Sequence, residues 1–253
     1  MDNRQLILSM KVNPVSYEET INQILKWTGE PQSRYICLSN VHMCMETFES
    51  LAFRDVVNEA DLVVPDGRPI VWALQLLGIK NATQVRGPDL VPKLLKIAEQ
   101  QGLSVGFYGG TPQALEKLKK CLDHKFPKIK VTCAIPPPFR ALTPAEDRAF
   151  IDEINRSATQ ILFVFLGCPK QEQWMAAHRD KLSCVMLGVG AALNFFTSHQ
   201  KQAPPVMQKL GLEWLHRLYH EPRRLWKRYF KYNTLFLFII FFTSLKKITK
   251  IER

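Results

Sequence analysis

The 253-residue chain holds no CxxC pair. Its six cysteines (Cys37, Cys44, Cys121, Cys133, Cys168 and Cys184) are scattered. That pattern excludes a zinc ribbon or a thioredoxin-type redox motif and fits reduced thiols in a cytosolic protein. HExxH, GxSxG, the P-loop and GxGxxG are also missing. The absences remove a zinc protease, a nucleophile-elbow hydrolase, a P-loop NTPase and a dinucleotide fingerprint from consideration. No DxD carboxylate pair is present to hold a nucleotide-bound Mg²⁺. If phosphate leaves in a reaction here, cationic side chains and helix ends are expected to stabilise it without a metal. The first residues, MDNRQLILSM, lack a basic stretch followed by a long apolar one, so no signal peptide is expected. No internal repeat or low-complexity segment appears. Acidic residues are in deficit, 23 against 34 Lys and Arg.

The deficit is uneven. Residues 213–253 carry ten Lys/Arg against three Glu, hence +7 of the chain's net +11. A nearly balanced body with a basic tail points to an anionic partner for the tail: nucleic acid, anionic lipid or a phosphorylated ligand. In the body, apolar β-branched runs alternate with helical stretches. The strands are expected at Tyr35–Ser39, Leu62–Val64, Ser104–Tyr108, Lys130–Ile135, Ile161–Leu166 and Cys184–Val189. The helices are expected at Ser16–Trp27, Val41–Leu51, Pro69–Leu77, Pro88–Gln101, Pro112–His124, Pro144–Ser157 and Pro169–Arg179. Several open on proline, which suits a first helical position. The alternation predicts an α/β fold, a Rossmann-like open parallel sheet with helices on both faces. Residues 1–200 read as the catalytic domain and 201–253 as a C-terminal helical appendage. In the appendage, Trp214, Leu215, Leu218, Tyr219, Leu225, Trp226, Tyr229 and Phe230 fall at helical spacing opposite a basic face. The reading is an amphipathic basic–aromatic helix pair, broken near Pro222. The apolar run Leu235–Leu245 would span about 16 Å as a helix, half of a ~30 Å hydrocarbon core. It reads as a segment lying on or dipping into one leaflet. A true span and a buried or oligomer-contact helix are the alternatives.

In open α/β sheets, ligands sit beyond the carboxyl ends of the strands. Asn40 follows the first strand and either caps the next helix or bonds a ligand; His42 beside it is weak evidence alone. Pro65-Asp66-Gly67 follows the second strand. Asp66 is either a turn and cap residue or a carboxylate held at the strand tip as general base. Gly109-Gly110-Thr111-Pro112 either forms an ordinary turn or lets a phosphate approach a helix start. Gly167-Cys168-Pro169-Lys170-Gln171-Glu172 repeats that geometry and adds a cation and an amide. Gly190-Ala191-Ala192 leaves room for a flat base or sugar, and Arg86 precedes a helix. Among strand-tip acids, Glu172 is the nearest rival to Asp66, but it lies inside a helical first turn.

Taken together and in order, "ADLVVPDGRPIVWA" (60–73), "RGPDL" (86–90), "YGGTP" (108–112), "FLGCPKQEQW" (165–174), "GVGAALNFF" (188–196), "QAPP" (202–205) and "GLEWLHRLYHEPRRLWKRY" (211–229) resemble the WecG/TagA/CpsF glycosyltransferase family, glycosyltransferase family 26. The resemblance implies an inverting, metal-independent hexosyltransferase. Such an enzyme moves a sugar from a UDP-sugar to an undecaprenyl-diphosphate-linked saccharide in cell-surface polysaccharide synthesis, with no cofactor. The sugar implied is N-acetylmannosamine, its uronic acid or glucose. The implied place is the cytoplasmic face of the cell membrane, peripheral or monotopic, with the tail on anionic lipid, no nucleic acid bound and a homo-oligomer possible. Asp66 is implied as catalytic base, Asn40, Arg86 and Gln171 as pocket residues, and Arg217, Arg224 and Lys227 as the appendage's cations. The strand-end residues Gly109, Gly110, Gly167, Lys170 and Gly190 complete the expected substrate site. Lys227 stands where arginine is usual and lacks bidentate phosphate geometry. Arg68-Pro69 and Val41-His42 also depart from the family pattern, near the presumed acceptor side. Two other classes stay open: a nucleotide-dependent oxidoreductase, against which the missing GxGxxG argues, and a non-catalytic membrane or nucleic-acid binder.

Overall fold

The computed structural model describes residues 3–190, 192 and 202–251. The chain opens with an antiparallel hairpin, β1 (Gln5–Ile7) and β2 (Met10–Val12), which the sequence reading does not anticipate. The body follows as α1 (Tyr17–Trp27), β3 (Arg34–Ser39), α2 (Val41–Glu49), α3 (Leu51–Asn58), β4 (Leu62–Pro65), α4 (Arg68–Leu76), α5 (Gly87–Gln101), β5 (Ser104–Tyr108), α6 (Pro112–Lys125), β6 (Lys130–Ile135), α7 (Pro144–Arg156), β7 (Ile161–Val164), α8 (Lys170–His178) and β8 (Val185–Gly188). Three helices close the described chain: α9 (Pro205–Lys209), α10 (Glu213–His220) and α11 (Pro222–Ile251).

Strands β3–β8 form one six-stranded sheet in the order β4-β3-β8-β7-β5-β6, and every pairing is parallel. Side chains alternate along each strand, and both faces are covered. Tyr35, Cys37, Val63, Leu162, Val164 and Met186 face one core with the hairpin, α2, α3 and α8. Ile36, Leu38, Leu62, Val64, Ile161, Phe163, Val185 and Leu187 face the other, with α1, α5 and α6. This is the expected α/β sheet with helices on both faces. The chain's helix starts are chemically marked. Ser16 with Glu19 and Thr143 with Glu146 form complete capping boxes, and Thr111 caps α6.

Three elements differ from expectation. The helix expected over Val41–Leu51 stops at Glu49, because Ser50 takes an extended conformation (φ −126°, ψ 114°), and its side chain caps a separate helix, α3. The strands expected to reach Leu166 and Val189 end at Val164 and Gly188. The break at Pro222 is present, but the basic stretch and the apolar run after it form one helix. At 30 residues, α11 is about 45 Å long.

Helix α11 is stitched to the body. Tyr232 and Phe236 join the core on the α2 side, and Leu235, Ile239 and Ile240 pack against it. The Tyr232 hydroxyl donates to Glu46 and Glu49 of α2 at 3.0 and 3.1 Å, and Lys231 pairs with Glu49 at 2.7 Å. Leu237 and Phe238 remain 54% and 60% exposed. The run Leu235–Leu245 therefore has two faces in its near half, one in the core and one outside. Among the described residues no helix is long and apolar enough to cross a membrane.

Candidate active site

The carboxyl ends of β4, β3, β8 and β7 open onto a cleft of about 460 Å³. Asp66 sits where β4 ends. Its backbone N–H and that of Gly67 both donate to the Ser39 carbonyl, at 2.9 and 3.0 Å, which ties the turn to the neighbouring strand. Gly67 is closely packed: a Cβ there would lie 3.1 Å from the Asn40 Cα and 3.2 Å from its Cβ, so a side chain would press on the Asn40 turn. The Asp66 carboxylate accepts from the Gly87 N–H at 2.9 Å, and Gln84 donates to its backbone carbonyl at 2.7 Å. Neither the turn reading nor the base reading is exclusive. The backbone makes the turn, and the half-buried carboxyl lines the cleft. Removal from water pushes its pKa up to about 6, against the Gly87 N–H and the Arg217 guanidinium, which pull it down.

Arg217 comes from α10, so the C-terminal helices bring charge to the strand tips. Arg217, Arg224 and Arg228 line the cleft from α10 and α11, joined by Arg68 at the start of α4 and Lys170 at the start of α8. Asp66, Glu213 and Glu221 are the acids of the same lining. Trp214 and Tyr229 meet edge to face at 5.9 Å and lock α10 against α11. The cleft wall is thus cationic and aromatic on the appendage side, and built of strand tips on the other.

The remaining expected residues divide. Asn40 lines the cleft, while its Oδ1 accepts from the Met43 N–H at 3.2 Å, the cap interaction. Gln171 is buried under the cleft floor. Its Oε1 accepts from the N–H groups of Gly167 and Gly190 at 3.2 and 3.0 Å, so it clasps the ends of β7 and β8 together. Gly167 and Gly190 line the cleft with positive φ, 83° and 49°. Glu172 is fully buried, accepts from Gln171 at 2.7 Å, and has an Oε2 without a partner; burial pushes its pKa up to about 7. Ala191 and residues 193–196 lie outside the described residues.

Other expected residues do not line this cleft. Gly109 and Gly110 follow β5 and do not line the cleft. A Cβ on Gly109 would lie 2.9 Å from the Phe165 backbone, and one on Gly110 2.7 Å from the Phe165 ring. Those contacts give the two glycines a packing reason. Arg86 borders a small side recess and is neutralised there: it bonds Asp89 at 3.0 Å, pairs with Glu213 at 3.1 Å without an aligned hydrogen bond, and donates to Gln202 and Gln208. Lys227 is exposed, 5.6 Å over the Trp226 ring and off the cleft. Arg228, which sequence reasoning passed over, occupies the cleft instead. A signal for it existed. Arg224 and Arg228 are four residues apart on one face of the helix after Pro222, and the same step of four separates Arg217 from Glu221 before it, a spacing that leaves Lys227 off that face. Among the described residues no group of three or more His, Cys, Asp or Glu could hold a metal ion.

The model of the Glycosyl transferase WecG/TagA/CpsF family matches residues 5–250. The chain belongs to that family. It is a glycosyltransferase, and the oxidoreductase and non-catalytic readings fall away. Two relatives from Staphylococcus aureus, strains MW2 and NCTC 8325, are each 29% identical to it over 203 residues. The matches cover 80% of this chain and 74% of each relative. Both relatives are named N-acetylglucosaminyldiphosphoundecaprenol N-acetyl-beta-D-mannosaminyltransferase.

Proposed function

We propose that the protein transfers a sugar from a UDP-sugar to a saccharide linked through diphosphate to undecaprenol, with inversion and without a metal ion, for cell-surface polysaccharide. N-Acetylmannosamine is the sugar the relatives' names favour; its uronic acid and glucose are the other candidates. The observation that carries this reading is Asp66, a carboxyl with its pKa near 6, in a cleft whose lining holds five Arg and Lys against two other acids, Glu213 and Glu221. A general base needs a pKa close to working pH, and a departing diphosphate needs positive charge.

In the proposed step, an acceptor hydroxyl oxygen attacks the anomeric carbon while Asp66 takes its proton. The bond from that carbon to the UDP oxygen breaks, and UDP leaves from the opposite face with the bonding electrons. An α-linked donor gives a β-linked product. Arg217, Arg224 and Arg228 offset the charge that develops on UDP, the part a divalent cation plays elsewhere. The site works at the cytoplasmic face of the membrane, where the outer face of α11 rests on anionic lipid. Residues 1–200 carry the chemistry and 201–253 the membrane contact and the cations.

The test is a panel of UDP-sugars with short-chain diphosphate-linked acceptors, reading UDP release and product mass, with and without chelator. The expected result is one sugar added with a β linkage at a rate chelator does not change. No UDP release with any pair would overturn the reading, and loss of rate with chelator would overturn its metal-free part.

A further inference from the structure

We propose that Arg68 holds the diphosphate of the acceptor, a second diphosphate subsite separate from the one for the leaving UDP. The idea rests on the reading above, that the acceptor is a sugar joined through diphosphate to a polyprenyl chain.

Arg68 opens α4, two residues after Asp66, and lines the same cleft. Among the described residues its guanidinium has no ion pair and no hydrogen bond, and its Nε is buried without a partner. Arg228, from α11 in the same cleft, likewise has a buried Nε without a partner, whereas Arg86 is paired with Asp89 and Glu213, Arg224 with Glu221, and Arg34 and Arg179 with Asp61. A guanidinium atom removed from water without an acceptor costs free energy that an anion recovers, and a phosphate oxygen is the acceptor its planar fork fits best.

Position decides which diphosphate. In an inverting displacement, nucleophile and leaving group lie on opposite faces of the anomeric carbon. Asp66 marks the nucleophile's side, so a cation on the same turn serves the acceptor. Arg217 of α10 also acts on Asp66 and so answers charge close to the reacting carbon, while Arg224 and Arg228 of α11 remain for the donor. An acceptor sugar with its hydroxyl at Asp66 carries its diphosphate on the far side of one pyranose ring, and its lipid must then find an apolar way out. Arg68 stands at such an exit. Its stem and the Trp72 ring press on Gly211, where a Cβ would lie 3.2 Å from the Arg68 Cγ and 2.7 Å from Trp72. Trp72, Leu76 one turn on, and Leu210 beside Gly211 are exposed.

The experiment uses full-length Arg68→Met and Arg68→Lys proteins, their folding checked by thermal denaturation. Each is assayed with a short-chain diphosphate-linked acceptor and with the same sugar on a neutral alkyl group. Arg68→Met is expected to raise KM for the diphosphate acceptor about 10- to 100-fold, the range for losing a charge-assisted bond, with donor KM unchanged. The preference for the diphosphate over the neutral acceptor, as a kcat/KM ratio, should shrink by the same factor, with Arg68→Lys between. A rise in donor KM instead, or an undiminished preference in Arg68→Met, overturns the proposal. Failure of the wild-type protein to transfer sugar to the diphosphate acceptor overturns the underlying reading, and this subsite with it.

Discussion

At the scale of single residues, Asp66 links stability to chemistry. Its carboxyl titrates near 6 in the folded protein against an ordinary value of 3.8. Between those values the folded protein keeps a proton that the unfolded chain has released, so this site stabilises the fold at low pH and loses that contribution as pH rises through about 4 to 6. Glu172, raised from 4.5 to about 7, adds a second loss of the same sign. Asp66→Asn is therefore expected to raise Tm at pH 7.5 and to leave it nearly unchanged at pH 4. Turnover should fall ~10²–10⁴-fold, the share of a general base. In the wild type, kcat/KM should rise with pH through an acid limb near 6. Glu172→Gln keeps that limb if Asp66 is its source; a limb that disappears in Glu172→Gln would move the base assignment. Gly109 tests a different matter. With φ at 129° and Phe165 backbone 2.9 Å from a would-be Cβ, Gly109→Ala is expected to destabilise by about 2 kcal/mol or more. The donor KM of the folded fraction should not change. A raised donor KM in a protein of unchanged Tm would return Gly109 to the substrate site.

Elements were legible where pattern and chemistry coincided, and the site where an element's face could be read. Five strands of the sheet were found because each is a short apolar run buried on both faces, which needs no partner to be recognised, while β6, at the sheet edge, is largely exposed and was legible from its β-branched residues. Ser50 was missed because a serine inside an apolar helical pattern looks like an exposed helical residue until its extended backbone is seen. The hairpin β1–β2 was missed because strands of three residues carry too little alternation. The place of Asp66 at the cleft was legible because its segment ends a strand. Arg86 reads as a pocket residue in sequence, yet its partners Glu213 and Gln208 lie more than a hundred residues on, and no local pattern shows that. On α10 and α11 the helical period separates neighbours. Arg224 and Arg228 stand one turn apart on the cleft face, and Lys227 stands outside it. Arg228→Ala is expected to raise donor KM or lower kcat by about tenfold or more, as for a charge-assisted bond to phosphate. Lys227→Ala should leave both within about twofold on a water-soluble acceptor. Steady-state kinetics on the two single variants decides it, and equal losses in both would refute the placement.

At the scale of the whole molecule, the basic tail presents two faces of one helix, and only one of them is buried against the body. The inner face of α11 is structural: Tyr232 and Phe236 sit in the core, and Lys231 pairs with Glu49. Deleting residues 213–253 would therefore uncover the core and remove cleft arginines, and a lost activity would not speak about membranes. The outer face is where lipid contact can be tested alone. Arg223, Trp226, Lys227 and Phe230 are exposed there, with Leu237 and Phe238 further along. Each Lys or Arg near an anionic surface contributes ~1 kcal/mol and aromatic rings anchor at the interface. Trp226→Glu with Phe230→Glu removes two anchors and adds two repelling charges without touching the cleft lining. The expected outcome is loss of flotation with vesicles containing anionic lipid, while turnover of a short, water-soluble acceptor stays near wild type and turnover of a membrane-embedded acceptor falls. High salt should weaken wild-type flotation in the same direction, since the attraction is screened. Flotation that survives both the double substitution and high salt would place the membrane contact on another surface, and the exposed apolar side chains of α4 beside Arg68 would be the next to examine.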